Sequence, residues 1–158
     1  MTQGFVLALL HLCASGSLRE NFHKQQGNNM KNINLITADI VDLCFKIHSK
    51  LGPGLFESVY EKILIHELER KGYEIENQKH IPVIWEGTEM DFGFRADIIV
   101  ENRVIIEIKS VEKLNEVHFK QILTYLKVLN IKLGLLINFN ESLIKYGIRR
   151  VINNKFEL

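Results

Sequence analysis

Residues 92–110 read FGFRADIIVENRVIIEIKS. Two apolar runs, Ala96–Val100 and Val104–Ile108, flank the turn-prone Glu101-Asn102-Arg103, which is the pattern of a β-hairpin. A turn centred on Asn102 sets Val100 against Val104, Ile98 against Ile106 and Asp97 against Glu107. Side chains alternate along a strand, so Glu107 and Lys109 share one face while Ile106 and Ile108 take the other. Two carboxylates placed directly opposite each other repel. A bound divalent cation reverses that penalty, because Mg²⁺ takes hard oxygen ligands. The hairpin therefore reads as half of a metal site. Asp97 and Glu107 would hold the ion, and Lys109 would orient water or offset charge developing in a transition state. The competing reading is a surface carboxylate pair with Lys109 as its counter-ion. Glu-x-Lys alone does not decide between them, since Glu69-Arg70-Lys71 repeats it at the polar end of a helix.

Working outward, Thr37 with Asp39 predicts a helix start, followed by an apolar stripe of Ile40, Val41, Cys44, Ile47 and Leu51 and a stop at Gly52-Pro53-Gly54. A second helix is expected over 55–71, burying Phe56, Val59, Tyr60, Ile63, Leu64 and Leu68, with Gly72 ending it. Strands follow at 81–85, 89–100 and 103–109, the first two joined by Glu86-Gly87-Thr88. A third helix over 115–129 carries Val117, Ile122 and Leu126 inward. Residues 132–139 form a strand apolar on both faces, hence interior, and 148–152 a further strand. The order α-α-β-β-β-α-β-β implies an α/β (α+β) fold, a mixed sheet flanked by helices.

At 158 residues, with 46% hydrophobic and 25% charged residues, the composition is that of one globular domain. Cys13 and Cys44 show neither metal-ligand spacing nor a disulfide framework, which suits reduced thiols and a cytoplasmic setting. The formal charge is +1 but unevenly spread: residues 30–117 carry 11 Lys/Arg against 16 Asp/Glu (−5), and residues 118–158 carry 7 against 2 (+5). A basic third beside a carboxylate-bearing region suits cations on a phosphate backbone near a metal centre. A solvated surface suits it as well.

Residues 1–29 differ in character. The apolar run Phe5–Ala14 is broken by His11, is too short to span a bilayer, and lacks the preceding basic stretch of a secretory signal. Residues 1–29 are expected to be a disordered extension or a start-site artefact, with Met30 as the start of the folded domain over 30–158.

Gly54-Leu55-Phe56-Glu57-Ser58-Val59-Tyr60 resembles the signature of the bacterial GxxExxY family. The likeness continues through Arg95-Ala96-Asp97, Glu107-Ile108-Lys109, His118-Phe119-Lys120-Gln121 and Tyr125, and on to Leu133–Phe139. That family is similar to the PD-(D/E)xK nuclease superfamily, particularly its RecB-like branch. Here Ala96 stands where the superfamily's name has proline. The resemblance implies a restriction-endonuclease-like core and a Mg²⁺- or Mn²⁺-dependent nuclease centred on Asp97, Glu107 and Lys109. It also implies metal contacts from the Ile108 carbonyl and from Glu57, and a nucleic-acid-placing pair in Gln121 and Tyr125, four apart on one helix face. Tyr125 reads equally as a core aromatic. Arg95, on the face of Asp97, would pair with an acid or reach a phosphate. His118 reads as a hydrogen-bonding residue, because hard carboxylate sites rarely recruit imidazole. The expected partner is nucleic acid, DNA foremost, with no membrane; a homodimer or a separate targeting partner stays open, as do endo- and exonuclease action. The alternative is a non-catalytic nucleic-acid-binding or protein-interaction module that keeps the fold.

Overall fold

The computed structural model describes the backbone of residues 16–154, and side chains from residue 33 onward apart from Trp85, Asp91 and Phe92. The apolar run Phe5–Ala14 lies outside these residues. The chain divides between Leu35 and Ile36 into two units. The first contributes the N-terminal part of helix α1 (Gly16–Leu51); the second holds the remaining elements.

Helix α1 buries Ile36, Ile40, Leu43, Cys44 and Ile47, a stripe spaced to the 3.6-residue turn. The expected start at Thr37 is corrected: the helix is already under way and Thr37 is buried within it. No proline precedes it, so a residue type that favours caps is carried through by helix continuity. Val41 is half-buried and Leu51 exposed. Gly52 closes the helix at φ +69°, donating its N–H to His48 O at 2.8 Å, a conformation open to glycine at little cost.

Helix α2 (Glu57–Arg70) buries Tyr60, Glu61, Leu64 and Leu68. Phe56 and Val59, expected inside, are exposed, Phe56 by 84%. Phe56 is the extended N-cap rather than a helical residue. Val59 falls one position off the Tyr60-Leu64-Leu68 row, and Glu61 goes inward instead.

Among the described residues five strands form one sheet in the order β1 (Ile75–Trp85), β2 (Thr88–Val100), β3 (Val104–Lys109), β4 (Leu133–Asn138), β5 (Ile148–Ile152). The β1/β2, β2/β3 and β4/β5 pairs are antiparallel and β3/β4 is parallel. A parallel pair needs a crossover, which helix α3 (Glu116–Val128) supplies. A single helical turn, α4 (Ile144–Gly147), leads into β5. All six residues of β4 are buried, as two apolar faces require. Ile105, Ile122, Leu126 and Leu136 knit α3 to the sheet. Val117 is 67% exposed rather than core, since it lies in the first turn of α3 beyond the Ile122-Leu126 stripe. Strand β1 begins six residues before the expected Ile81, behind the polar run Glu76-Asn77-Gln78-Lys79-His80.

Candidate active site

The Asn102 turn sets the β2/β3 register as Val100↔Val104, Ile99↔Ile105 and Ile98↔Ile106. Glu101 and Asn102 both take left-handed φ, +53° and +52°. Glu101 is held there by its N–H donating to Glu74 O and its carboxylate accepting Glu74 N–H, both at 2.9 Å. The ladder stops at Ile98↔Ile106, one position short of the expected Asp97–Glu107 pair. Beyond it, Asp97 Oδ2 accepts the Ile108 N–H at 2.9 Å, so a side chain stands where a ladder partner would.

Glu107 is 1% exposed. Its Oε1 accepts from Lys109 Nζ at 2.7 Å; its Oε2 is buried without a hydrogen-bond partner among the described residues. Burial first, and then the Asp97 charge, push the Glu107 carboxyl up to about 7 despite the opposing pull of Lys109 and of the Asp97 backbone N–H. Burial likewise raises Asp97, opposed by the Ile108 N–H, the Lys109 charge and Gln78. Burial of Lys109 would lower its ammonium, but Glu107, Asp97 and Glu57 outweigh that and leave it raised and protonated.

Glu57 arrives from the first turn of α2, where the helix dipole favours a carboxylate. Its Oε1 accepts the Ser110 N–H at 2.9 Å, and Ser110 Oγ donates to Leu55 O at 2.7 Å. These bonds pin the start of α2 to the residue after Lys109. Tyr60 holds the loop before it: its hydroxyl donates to Gly52 O at 2.8 Å and accepts Leu55 N–H at 3.1 Å. Its ring stacks on buried Phe139 with centroids 4.3 Å apart.

Glu57, Glu61, Gln78, Arg95, Asp97 and Lys109 line a cleft of about 460 Å³. The Arg95 side chain makes no hydrogen bond or ion pair with a described residue; its charge acts on Glu61. On α3, Gln121 Nε2 donates to the Tyr125 hydroxyl at 2.7 Å. Tyr125 is buried and tilts against Phe94 at 5.6 Å. Burial raises its phenol, and the charges of Glu107, Lys109 and Asp97 all reach it. His118 instead completes a capping box: its Nδ1 accepts the Asn115 N–H at 3.2 Å while Asn115 caps the helix.

The fold brings Glu57, Arg95, Asp97 and Lys109 to one cleft and adds Glu61 and Gln78; Glu107 lies buried behind Lys109, and Gln121 and Tyr125 stand outside the cleft lining. Glu61 was signalled by its i, i+4 spacing from Glu57 on one helix face. Gln78 had no signal, because its strand was hidden in a polar run. Among the described residues no three His, Cys, Asp or Glu side chains form a ready cluster for a metal ion. The donor chemistry nevertheless suits a hard dication: the Asp97 charge raises Glu107, and Glu107 keeps a buried oxygen without a hydrogen-bond partner.

Residues 34–151 match the PD-(D/E)XK nuclease superfamily, and the chain belongs to it. No curated protein and no solved structure matches the chain.

Proposed function

We propose that this chain is a Mg²⁺- or Mn²⁺-dependent hydrolase of nucleic-acid phosphodiester bonds, acting foremost on DNA. The observation that carries the reading is the partnerless, buried Glu107 Oε2 beside Asp97 and Lys109. An oxygen so placed costs free energy in the apo protein, and a cation would offset that cost. Asp97 and Glu107 would hold the ion, with the Ile108 carbonyl and Glu57 as further oxygen donors. Such an ion supplies Lewis-acid chemistry, drawing charge from a phosphoryl oxygen and acidifying water.

The chain's own groups do the rest. Water forms a bond to phosphorus and gives up a proton to solvent as the bond to the departing sugar oxygen breaks; that oxygen takes a proton from solvent, and negative charge builds on the phosphoryl oxygens in between. Lys109, kept cationic by Glu107, stands in the cleft to offset that charge and orient the water. Arg95 faces the same cleft as a phosphate contact. Gln121 fixes the hydroxyl of buried Tyr125 from the half-buried face of α3, and the pair would help place the nucleic acid from beside the cleft. The Gly54–Tyr60 segment supports placing the chain in the GxxExxY branch: its Gly54 sits at φ +96° and its tyrosine ties down the loop leading to its glutamate.

The test is cleavage of single-stranded and duplex DNA and RNA by the full chain with Mn²⁺ or Mg²⁺. Asp97→Asn and Lys109→Ala should each reduce the rate by about 10²-fold or more. Equal rates in wild type and both variants would contradict the assignment. Metal-independent, salt-sensitive binding without cleavage would favour the non-catalytic alternative.

A further inference from the structure

Both oxygens of Asp97 have protein donors. Oδ2 takes the Ile108 N–H at 2.9 Å, and Oδ1 faces the Gln78 side-chain amide at 3.4 Å. The same amide nitrogen donates to Glu61 Oε1 at 2.7 Å. Gln78 reaches both acids from a left-handed backbone, φ +50°, inside strand β1. Its neighbours keep the ladder on either side, Asn77 with Ile98 and Lys79 with Ala96. Of the other described non-glycine residues at positive φ, Glu86, Glu101 and Asn102 lie in hairpin turns and Asn130 follows a helix. Only Gln78 sits within a strand. Left-handed backbone is unfavourable for a side chain with a Cβ, and it persists only where surroundings enforce it.

The Glu61 carboxylate holds the Gln78 side chain in this arrangement. Glu61 is 9% exposed, on the buried row of α2. Burial raises its carboxyl, the Gln78 bond opposes the rise, and the Asp97 charge adds to it. Without the amide, two acids would confront each other across the cleft with no donor between them.

We propose that Gln78, anchored by Glu61, is a positioning residue whose side-chain amide fixes the orientation of Asp97 in the cleft. The inference rests on the hydrolase reading, in which Asp97 is a metal ligand. Partners that orient a ligating carboxylate set metal affinity, and their loss typically costs about 10–100-fold.

Gln78→Gly separates this role from a merely structural one, because glycine accepts φ +50° without a Cβ penalty while losing the amide. The full-length variant should stay folded with a cooperative melt near the wild-type temperature, relief of the left-handed Cβ offsetting the lost amide bonds. Its Mn²⁺ affinity by calorimetry should nevertheless fall about 10-fold or more, and kcat should drop with the nucleic-acid KM unchanged. Glu61→Ala should reproduce the defect, and Glu61→Gln, which keeps an acceptor oxygen, should restore most of it. Wild-type affinity and kcat in Gln78→Gly overturn the inference, as does a loss of both that tracks a lower melting temperature. A wild-type protein that neither binds Mn²⁺ nor cleaves overturns the hydrolase reading, and this inference with it.

Discussion

With its carboxyl pushed up to about 7 by burial and Asp97, metal-free Glu107 keeps a proton that the unfolded chain releases near 4.5. Where the folded state binds more protons than the unfolded one, stability declines as pH rises. Glu107 therefore contributes stability below about 4.5 that is lost as pH climbs through about 7. Thermal melts of the chelator-treated protein should show the melting temperature falling across that window, and Glu107→Gln should flatten the fall. A wild-type profile that rises there would contradict the burial of this carboxyl. Asp97, Glu107 and Lys109 were legible in the sequence because strand alternation puts acid and amine on one face. Their exact relation was not: the ladder's early stop at Ile98↔Ile106 depends on Asp97 capturing the Ile108 N–H, which no spacing rule encodes.

Helix α2 owes its placement to a tyrosine inside it and a serine just after β3, both bonded to the short loop before the helix. Tyr60 ties Gly52 and Leu55 together, and Ser110 ties Leu55 and Glu57 to the end of β3. Tyr60→Phe keeps the ring on Phe139 but deletes both hydroxyl bonds. The expected cost is about 1 kcal/mol in urea unfolding, with faster amide exchange at Leu55 and unchanged protection in β3 and β4. Unaltered exchange at Leu55 would show that the loop needs no such tether. The second helix, the hairpin and the interior strand β4 were readable because their apolar periodicity is strong. The early start of β1 and the upstream reach of α1 were not, since polar strand residues and an uninterrupted helix leave no boundary signal.

At the scale of the molecule, a mixed sheet with one parallel pair carries Asp97 of β2 and Lys109 of β3 to a cleft edged by α2, with Glu107 buried beside Lys109, and α3 covers the sheet. No helix among the described residues is long and apolar enough to cross a membrane. Superfamily membership supplies the nuclease class, and the buried, unpartnered Glu107 oxygen beside Asp97 is what supports the proposed cation. Isothermal titration of Mn²⁺ into the full chain and into Glu107→Gln tests that reason most directly. The account predicts saturable binding by the wild type and its loss in a folded Glu107→Gln protein, with Mn²⁺-dependent cleavage lost in parallel. Binding of equal strength in both proteins, or none in either, would contradict it.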